Sequence, residues 1–269
     1  MKTRFYDIIF VVCTYGVHED LFRFVESLEK LDISYKVIVA NSYCDDKSRE
    51  NIKKVAMEMN CDFLNLENKG YGYSLNEGID YAVENYEFDN IVVSNADILV
   101  QRMDLSNKKA ECFVLAPETI TLTGKRQNPF YIFSHFRLFK FSKWYRETFM
   151  KENSLIVIVI AKIERIIFNL LWGKRRGCWK KIYAGHGAFI LFSKEAIEKI
   201  VRPFEDDIFL YCEENFLGYK LKKMGIPFYY SCDVSVIHTE DGSKKFYKHK
   251  INEETKKSVK KYHDLIKNE

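Results

Sequence analysis

The sequence lacks paired cysteines. Its seven are scattered, with no C-x-x-C arrangement among them, which argues against a disulfide framework and for reduced, mostly buried thiols of a cytosolic protein. It also lacks an uninterrupted apolar run of the roughly 18–20 residues that a membrane span requires. The opening M-K-T-R-F-Y-D-I-I-F-V-V is too polar and too short for a secretory signal, and it reads as a first strand. Internal repeats are absent. A strong excess of either charge is lacking, the formal net charge being +4.

What is present is a chain of 269 residues, 47% hydrophobic and 15% aromatic, sufficient for one large α/β domain with an appended piece. The small net charge hides a segregation. Residues 133–181 hold twelve Lys/Arg against three Asp/Glu, or +9, so the remainder sums to −5. In that segment Arg137, Lys140, Lys143 and Arg146 alternate with Phe136, Phe139, Phe141, Trp144, Tyr145 and Phe149. An apolar stretch follows, with Lys162, Arg165 and Asn169 on one helical face. One reading is a helical hairpin packed on the body with its basic face in water. The other is an amphipathic surface for anionic lipid.

Elsewhere the hydrophobic period alternates between strand and helix. Strands are expected at 7–13, 35–40, 61–66 and 90–94, and helices at 18–31, 49–59 and 75–84. That β-α-β-α-β-α-β order predicts a Rossmann-like, mainly parallel sheet. Further strands are expected at 112–117, 182–192 and 228–237, with a polar turn at 120–129. Helices are expected at 194–200 and 215–224, an acidic, aromatic loop at 207–214, and a Lys-rich helical tail from 243.

Residues 68–97 are the most informative. A glycine-rich turn, Asn68-Lys69-Gly70-Tyr71-Gly72, enters a helix, which leads to an apolar strand closing on Asn95-Ala96-Asp97. Ligands of open α/β sheets sit at the carboxyl ends of strands. A carboxylate there suits a metal-bound diphosphate.

Taken together, these pieces resemble the family 2 inverting glycosyltransferases of GT-A fold, in particular the bacterial branch of rhamnosyl- and galactofuranosyltransferases of surface polysaccharides. The resemblance covers roughly residues 6–242. It rests on Asn68-Lys69-Gly70-Tyr71-Gly72 with Asn76, Gly78 and Ile79; on Asn95-Ala96-Asp97; on Gly185-His186-Gly187-Ala188-Phe189 and Ser193-Lys194-Glu195-Ala196; on Phe209-Leu210-Tyr211-Cys212-Glu213-Glu214; and on Val236-Ile237-His238. The chain departs from the family pattern in Asn95, where the usual D-x-D has its first Asp, in the Glu213-Glu214 pair, and in Ala40 and Asn41 where an Asp often ends the second strand.

The resemblance implies an α/β GT-A body with a helical, basic-aromatic insert and a C-terminal helix. It implies transfer of a sugar from a UDP- or dTDP-linked donor to a hydroxyl of a growing, lipid-linked glycan. Glu214 would be the base, with Glu213 holding the acceptor or a helix end, and the two roles are interchangeable at this stage. Asp97 would bind Mn²⁺ or Mg²⁺, with His238 as second ligand, and a His ligand favours Mn²⁺. Donor contacts would come from Thr14, Tyr15, Asn41, Asp45, Lys69, Gly70, Asn95 and Asp97. Acceptor contacts would come from His186 and Asp207. The implied division is 1–132 for the nucleotide sugar, 133–181 for the insert, 182–242 for the acceptor and catalysis, and 243–269 for the tail. The expected place is the cytoplasm, peripheral on an anionic membrane, with no nucleic-acid partner. Competing readings are a nucleotidyltransferase, which would carry a G-x-G-T-R-type loop where Cys13-Thr14-Tyr15-Gly16 stands, and a non-catalytic nucleotide- or nucleic-acid-binding protein.

Overall fold

The computed structural model of the chain describes residues 4–133, 155–171, 175–240 and 251–267. The basic-aromatic residues 134–154 and the start of the expected tail helix, up to residue 250, lie outside the described residues.

Among the described residues a sheet of nine strands carries the fold. Strands β1 (Phe5–Thr14), β2 (Tyr35–Ser42), β3 (Asp62–Leu66) and β4 (Glu87–Asn95) form its parallel half in the order β3-β2-β1-β4. Helices α1 (Glu19–Leu28), α2 (Asp46–Glu58) and α3 (Tyr71–Asn85) make the crossovers. The other half contains β5 (Ile98–Met103), β6 (Val114–Thr121), β7 (Lys180–Lys181), β8 (Phe189–Ser193) and β9 (Phe228–His238). There β8 runs antiparallel between β4 and β6, β9 lies parallel to β6, and β5 and β7 pair antiparallel with β9. Six strands therefore share one direction and three oppose it. The described helices after β6 are α4 (Leu155–Leu171), α5 (Lys194–Ile200), α6 (Glu213–Met224) and α7 (Ile251–Lys267). Among the described residues no helix is long and apolar enough to cross a membrane.

The strands are near-continuous apolar runs because both sheet faces are covered. In β1, Ile9 and Val11 face the layer of α3, while Ile8, Phe10 and Val12 face Leu21, Phe24 and Leu28 of α1. Leu21, Phe24, Val25 and Leu28 recur at helical spacing, so α1 buries one stripe. Helix α3 approaches the sheet closely: a Cβ on Gly78 would fall 2.3 Å from Val11 Cγ1. A Gly78→Ala change would overpack that contact at a cost of about 1–3 kcal/mol.

Several expectations change. Strand β5 was not foreseen, so Asp97 does not end a free strand. It sits in a two-residue turn with Ala96, between β4 and β5. The expected strand at 182–192 is β8 alone, and Gly185-His186-Gly187 is loop that walls a cavity. Strand β6 continues through Thr121, inside the segment expected to be turn, because it stays paired to β9. Helices α3 and α6 start at Tyr71 and Glu213, ahead of the expected 75 and 215.

Candidate active site

Beyond the carboxyl ends of β1 and β4 lies a cavity of about 540 Å³. Its lining includes Tyr15, Tyr71, Asn95, Asp97, Phe130, His186, Glu213, Glu214 and His238. Residues more than a hundred positions apart meet here.

One wall is built by β4, β5 and β9. The pairing Ile98↔His238 brings the β4–β5 turn to the end of β9. The Thr239 backbone N–H and hydroxyl both donate to the Asp97 carbonyl, at 3.0 and 3.2 Å, and fix the turn. His238 Nε2 then stands 3.3 Å from Asp97 Oδ2. Behind the ring, the Gln127 amide donates from Nε2 to Glu240 Oε1 at 2.9 Å, which leaves its Oε1 to accept from His238 Nδ1–H at 2.8 Å. With the proton on Nδ1, the Nε2 lone pair faces a carboxylate. Two lone-pair donors this close need a shared proton or a shared cation. The backing of a ligating His by a hydrogen-bond acceptor is the usual second layer of a metal site. The donor set therefore fits a divalent cation, with Asp97 and His238 as its protein ligands. Among the described residues no cluster of three or more His, Cys, Asp or Glu is placed to hold a metal. The other ligands would be phosphate oxygens and water, as in many Mg²⁺ and Mn²⁺ substrate complexes.

The opposite wall is the loop entering α6. Tyr211 and Cys212 take φ of 71° and 69°, left-handed values that side chains rarely adopt. Such backbone costs about 1–3 kcal/mol per residue and persists only where its surroundings hold it. Two elements hold it. Tyr71 N–H donates to Phe209 O at 3.0 Å, and a Cβ on Gly70 would lie 2.6 Å from that same oxygen. From α7, Ser258 Oγ donates to Leu210 O at 2.9 Å, Lys261 pairs with Asp207, and Tyr262 packs on Phe216.

The turn delivers two adjacent carboxyls into different surroundings. Glu213 is 7% exposed, and its Oε1 is buried without a hydrogen-bond partner. Burial, and then the neighbouring Glu214 carboxylate, push Glu213 up to about 8. Glu214 is half-buried, and its Oε1 accepts from Gly187 N–H at 3.0 Å. Burial raises Glu214 too, against the pull of the Gly187 N–H. Near neutrality the pair shares one proton. Glu213 is the more deeply buried of the two and is raised further by the Glu214 carboxylate, so the proton rests on Glu213. The Gly187 peptide is fixed in turn by Tyr71, whose hydroxyl donates to its carbonyl at 3.0 Å.

His186 lies between the walls. Its Nδ1 accepts from Ala188 N–H at 3.2 Å, which puts the ring proton on Nε2 in the neutral form. Asn128 Oδ1 accepts from the His186 backbone N–H at 2.6 Å. The ring stands edge-on to Phe130 and His238, with centroids at 6.1 and 5.5 Å. Burial pushes Cys13 and Cys212, both in the lining, up to about 12, so neither is a thiolate at neutral pH.

Of the residues expected from sequence, the cavity gathers Tyr15, Asn95, Asp97, His186, Glu213, Glu214 and His238. It does not gather the rest. Thr14 and Asn41 are buried in a polar ladder, Thr14 Oγ1 to Asn41 Oδ1 at 3.1 Å and Asn41 Nδ2 to Asn65 Oδ1 at 2.9 Å. Asp45 caps α2 by accepting from Ser48 N–H at 2.8 Å. Lys69 pairs with Glu67 at 3.1 Å on the surface. Gly70 is pressed against the Phe209 backbone, and Asp207 pairs with Lys261. Sequence reasoning missed Gln127, Asn128, Tyr71 and the α7 residues. Tyr71 stands inside the glycine motif and was within reach. Gln127 and Asn128 carry no local signal.

No protein-family model matches the chain, and no curated protein matches it in sequence. Solved structures do. The chain covers 87% of itself and 44% of a structure of GalNAc-T7 with UDP, GalNAc and Mn²⁺, at 12% identity and a TM-score of 0.56. It covers 87% of itself and 60% of S. aureus TarS 1-349, at 13% identity and a TM-score of 0.53. For a longer S. aureus TarS structure the figures are 84%, 36%, 15% and 0.50. The chain thus spans from about a third to three fifths of these proteins. At such identities the likeness is one of fold, and the fold is the mixed α/β GT-A fold of glycosyltransferases.

Proposed function

We propose that this chain is an inverting glycosyltransferase that moves a sugar from a UDP- or dTDP-linked donor to a hydroxyl of a growing, lipid-linked surface glycan, as in the rhamnosyl- and galactofuranosyltransferase branch. The observation that carries the reading is one cavity with two unlike walls. Asp97 and His238, 3.3 Å apart, make one; Glu214, aimed by Gly187 N–H at 3.0 Å, makes the other. That the GalNAc-T7 structure contains UDP, GalNAc and Mn²⁺ supports a nucleotide sugar and a divalent cation as partners of the same fold.

In this reading Asp97 and His238 hold the cation, which when bound offsets the charge of the departing diphosphate. Asn95, beside them in the lining, meets the ribose or sugar, and Tyr15 the base. Glu214 takes the proton from the acceptor hydroxyl. The freed oxygen attacks the anomeric carbon opposite the leaving group. A C–O bond forms there, the donor's C–O bond to phosphate breaks with its electron pair on the diphosphate, and the anomeric centre inverts. Glu213, holding its proton, leaves Glu214 as the one charged carboxyl of the pair. His186 offers Nε2–H to the acceptor or the donor sugar. Residues 1–132 supply most of the donor side and 182–242 the acceptor side, with His238 crossing over to complete the donor wall.

A hydrolysis and binding screen across UDP-, dTDP- and GDP-sugars with Mn²⁺ tests the reading. Turnover or metal-dependent binding of one donor class is expected. Neither with any sugar nucleotide would overturn it.

A further inference from the structure

Among the described side chains of helix α4, those that meet the body lie on one side. Phe168 is 2% exposed and stands edge-on to Tyr230, ring centroids 5.2 Å apart. The Glu164 carboxyl takes a hydrogen bond from the Ile132 backbone. At 3.6 residues per turn, Val159, Ile163, Ile166 and Leu170 run along the side away from Phe168, with Ile167 and Leu171 on its flank, and all six are 45–81% exposed. One helix thus presents a continuous aliphatic stripe to its surroundings, the kind of patch that marks an interaction surface.

The charges around the stripe indicate what meets it. Lys162 is exposed on the flank of the helix, and Arg175, Arg176 and Lys181, also exposed, follow it in sequence, with Arg176 facing the exposed Asp104 as well. The acid of the helix, Glu164, is turned to the body by its bond to Ile132. An aliphatic stripe edged by cations matches the boundary between anionic headgroups and acyl chains. A second copy docked face to face would set these cations against each other. The helix is too short and insufficiently apolar to cross a bilayer, so it would lie in the plane.

We propose that the outer face of α4 docks on an anionic lipid bilayer, with the Ile163–Leu170 stripe in the acyl boundary and Lys162, Arg175 and Arg176 at the phosphates. The docking gives the proposed transfer its access to a lipid-carried acceptor and rests on that reading for its purpose. Ile132, which binds Glu164, directly follows Phe130 and Tyr131 of the cavity wall. The bilayer would therefore lie beside the Phe130–Tyr131 edge of the cavity.

Co-sedimentation of the full chain with vesicles of phosphatidylcholine alone, and of phosphatidylcholine mixed with phosphatidylglycerol, tests the proposal without any sugar nucleotide. Failure of the glycosyltransferase reading would leave this measurement untouched. Binding is expected to the mixed vesicles, to weaken with salt, and to be much lower on the neutral ones. The double variant Ile166→Glu/Leu170→Glu should lower partitioning about tenfold or more. Arg175→Glu/Arg176→Glu should remove the preference for anionic lipid. Circular dichroism and thermal melts of both variants should match the parent, since these side chains are exposed. Three results would overturn the proposal: no sedimentation with either vesicle, unchanged partitioning of both variants, or a dimer by light scattering that the Ile166→Glu/Leu170→Glu pair dissolves without altering vesicle binding. The last would assign the stripe to a second copy.

Discussion

Asp97 and Glu214 are carboxylates on one cavity, yet they are set in different company. Asp97 faces a histidine whose tautomer is dictated from behind by Gln127 and Glu240, so the wall ends in two electron-pair donors 3.3 Å apart. Glu214 shares a strained turn with a second carboxyl. That neighbour is buried, has an unpartnered oxygen and is pushed up to about 8. The first wall gathers negative charge for a cation. The second rations it, keeping one proton on the pair so that a single carboxylate is charged near neutrality. Two groups of one chemical type take different roles because their environments push their protonation apart, which is the general way to tell acid, base and ligand.

The sharpest way to break the contrast is Glu214→Gln. A general base contributes about 10²–10⁴-fold. Transfer should fall by that much in kcat, while calorimetric affinity for the nucleotide with Mn²⁺ stays at the parent value, because the donor wall is intact. An unaltered kcat would move the base off Glu214.

The donor wall is probed by Gln127→Met, which removes the acceptor behind His238 and replaces neither cation ligand. Loss of such a support costs about 10–100-fold in metal affinity. Titration of Mn²⁺ in the presence of UDP should show that loss, with the pH dependence of kcat unmoved. Parent-like affinity would mean that the Glu240–Gln127–His238 chain is not a metal device.

The last effect concerns Glu213. Its folded-state value, about 8, lies above the ordinary carboxylate value of 4.5. Between those values the folded protein binds more protons than the unfolded chain, so this group's contribution is full below the ordinary value and lost as pH rises through the raised one. Parent Tm should therefore decline from pH 5 to pH 8 by more than that of Glu213→Gln, which has no proton to lose. The gap should be on the order of ten degrees, at about 1.4 kcal/mol per pH unit and about 2–4 °C per kcal/mol for a chain of this size. Parallel Tm profiles would show that the environment of Glu213 is less desolvated than the buried Oε1 implies.

Much of the body was legible because its signals are local. The Val- and Ile-rich runs of β1, β2 and β4, and the Leu21-Phe24-Val25-Leu28 stripe of α1, announce buried strands and an amphipathic helix without reference to anything distant. Strand β5 was not legible. Gln101 and Arg102 interrupt its apolar pattern, and it is a strand because β9 pairs with it. Gln127 is hidden for a similar reason. It sits in a polar turn, and it reaches His238 only because β6 and β9 pair in the register Thr121↔His238, and Gln127 N–H folds back to Thr119 O. The glycine motif was legible as a ligand loop, yet its first glycine serves packing, leaving room for the Phe209 backbone.

By itself, then, the sequence determined the alternation of strands and helices, the segregation of basic charge into the α4 region, and the short roster of acids and histidines suited to the chemistry. Hydrophobic period and residue type are properties of a few consecutive positions, and they survive without a fold. The tertiary structure decided which of those groups meet, which carboxyl keeps its proton, and which nitrogen of His238 is left open. Those outcomes depend on desolvation and on hydrogen-bond partners supplied by distant strands, and only the folded sheet brings them within reach.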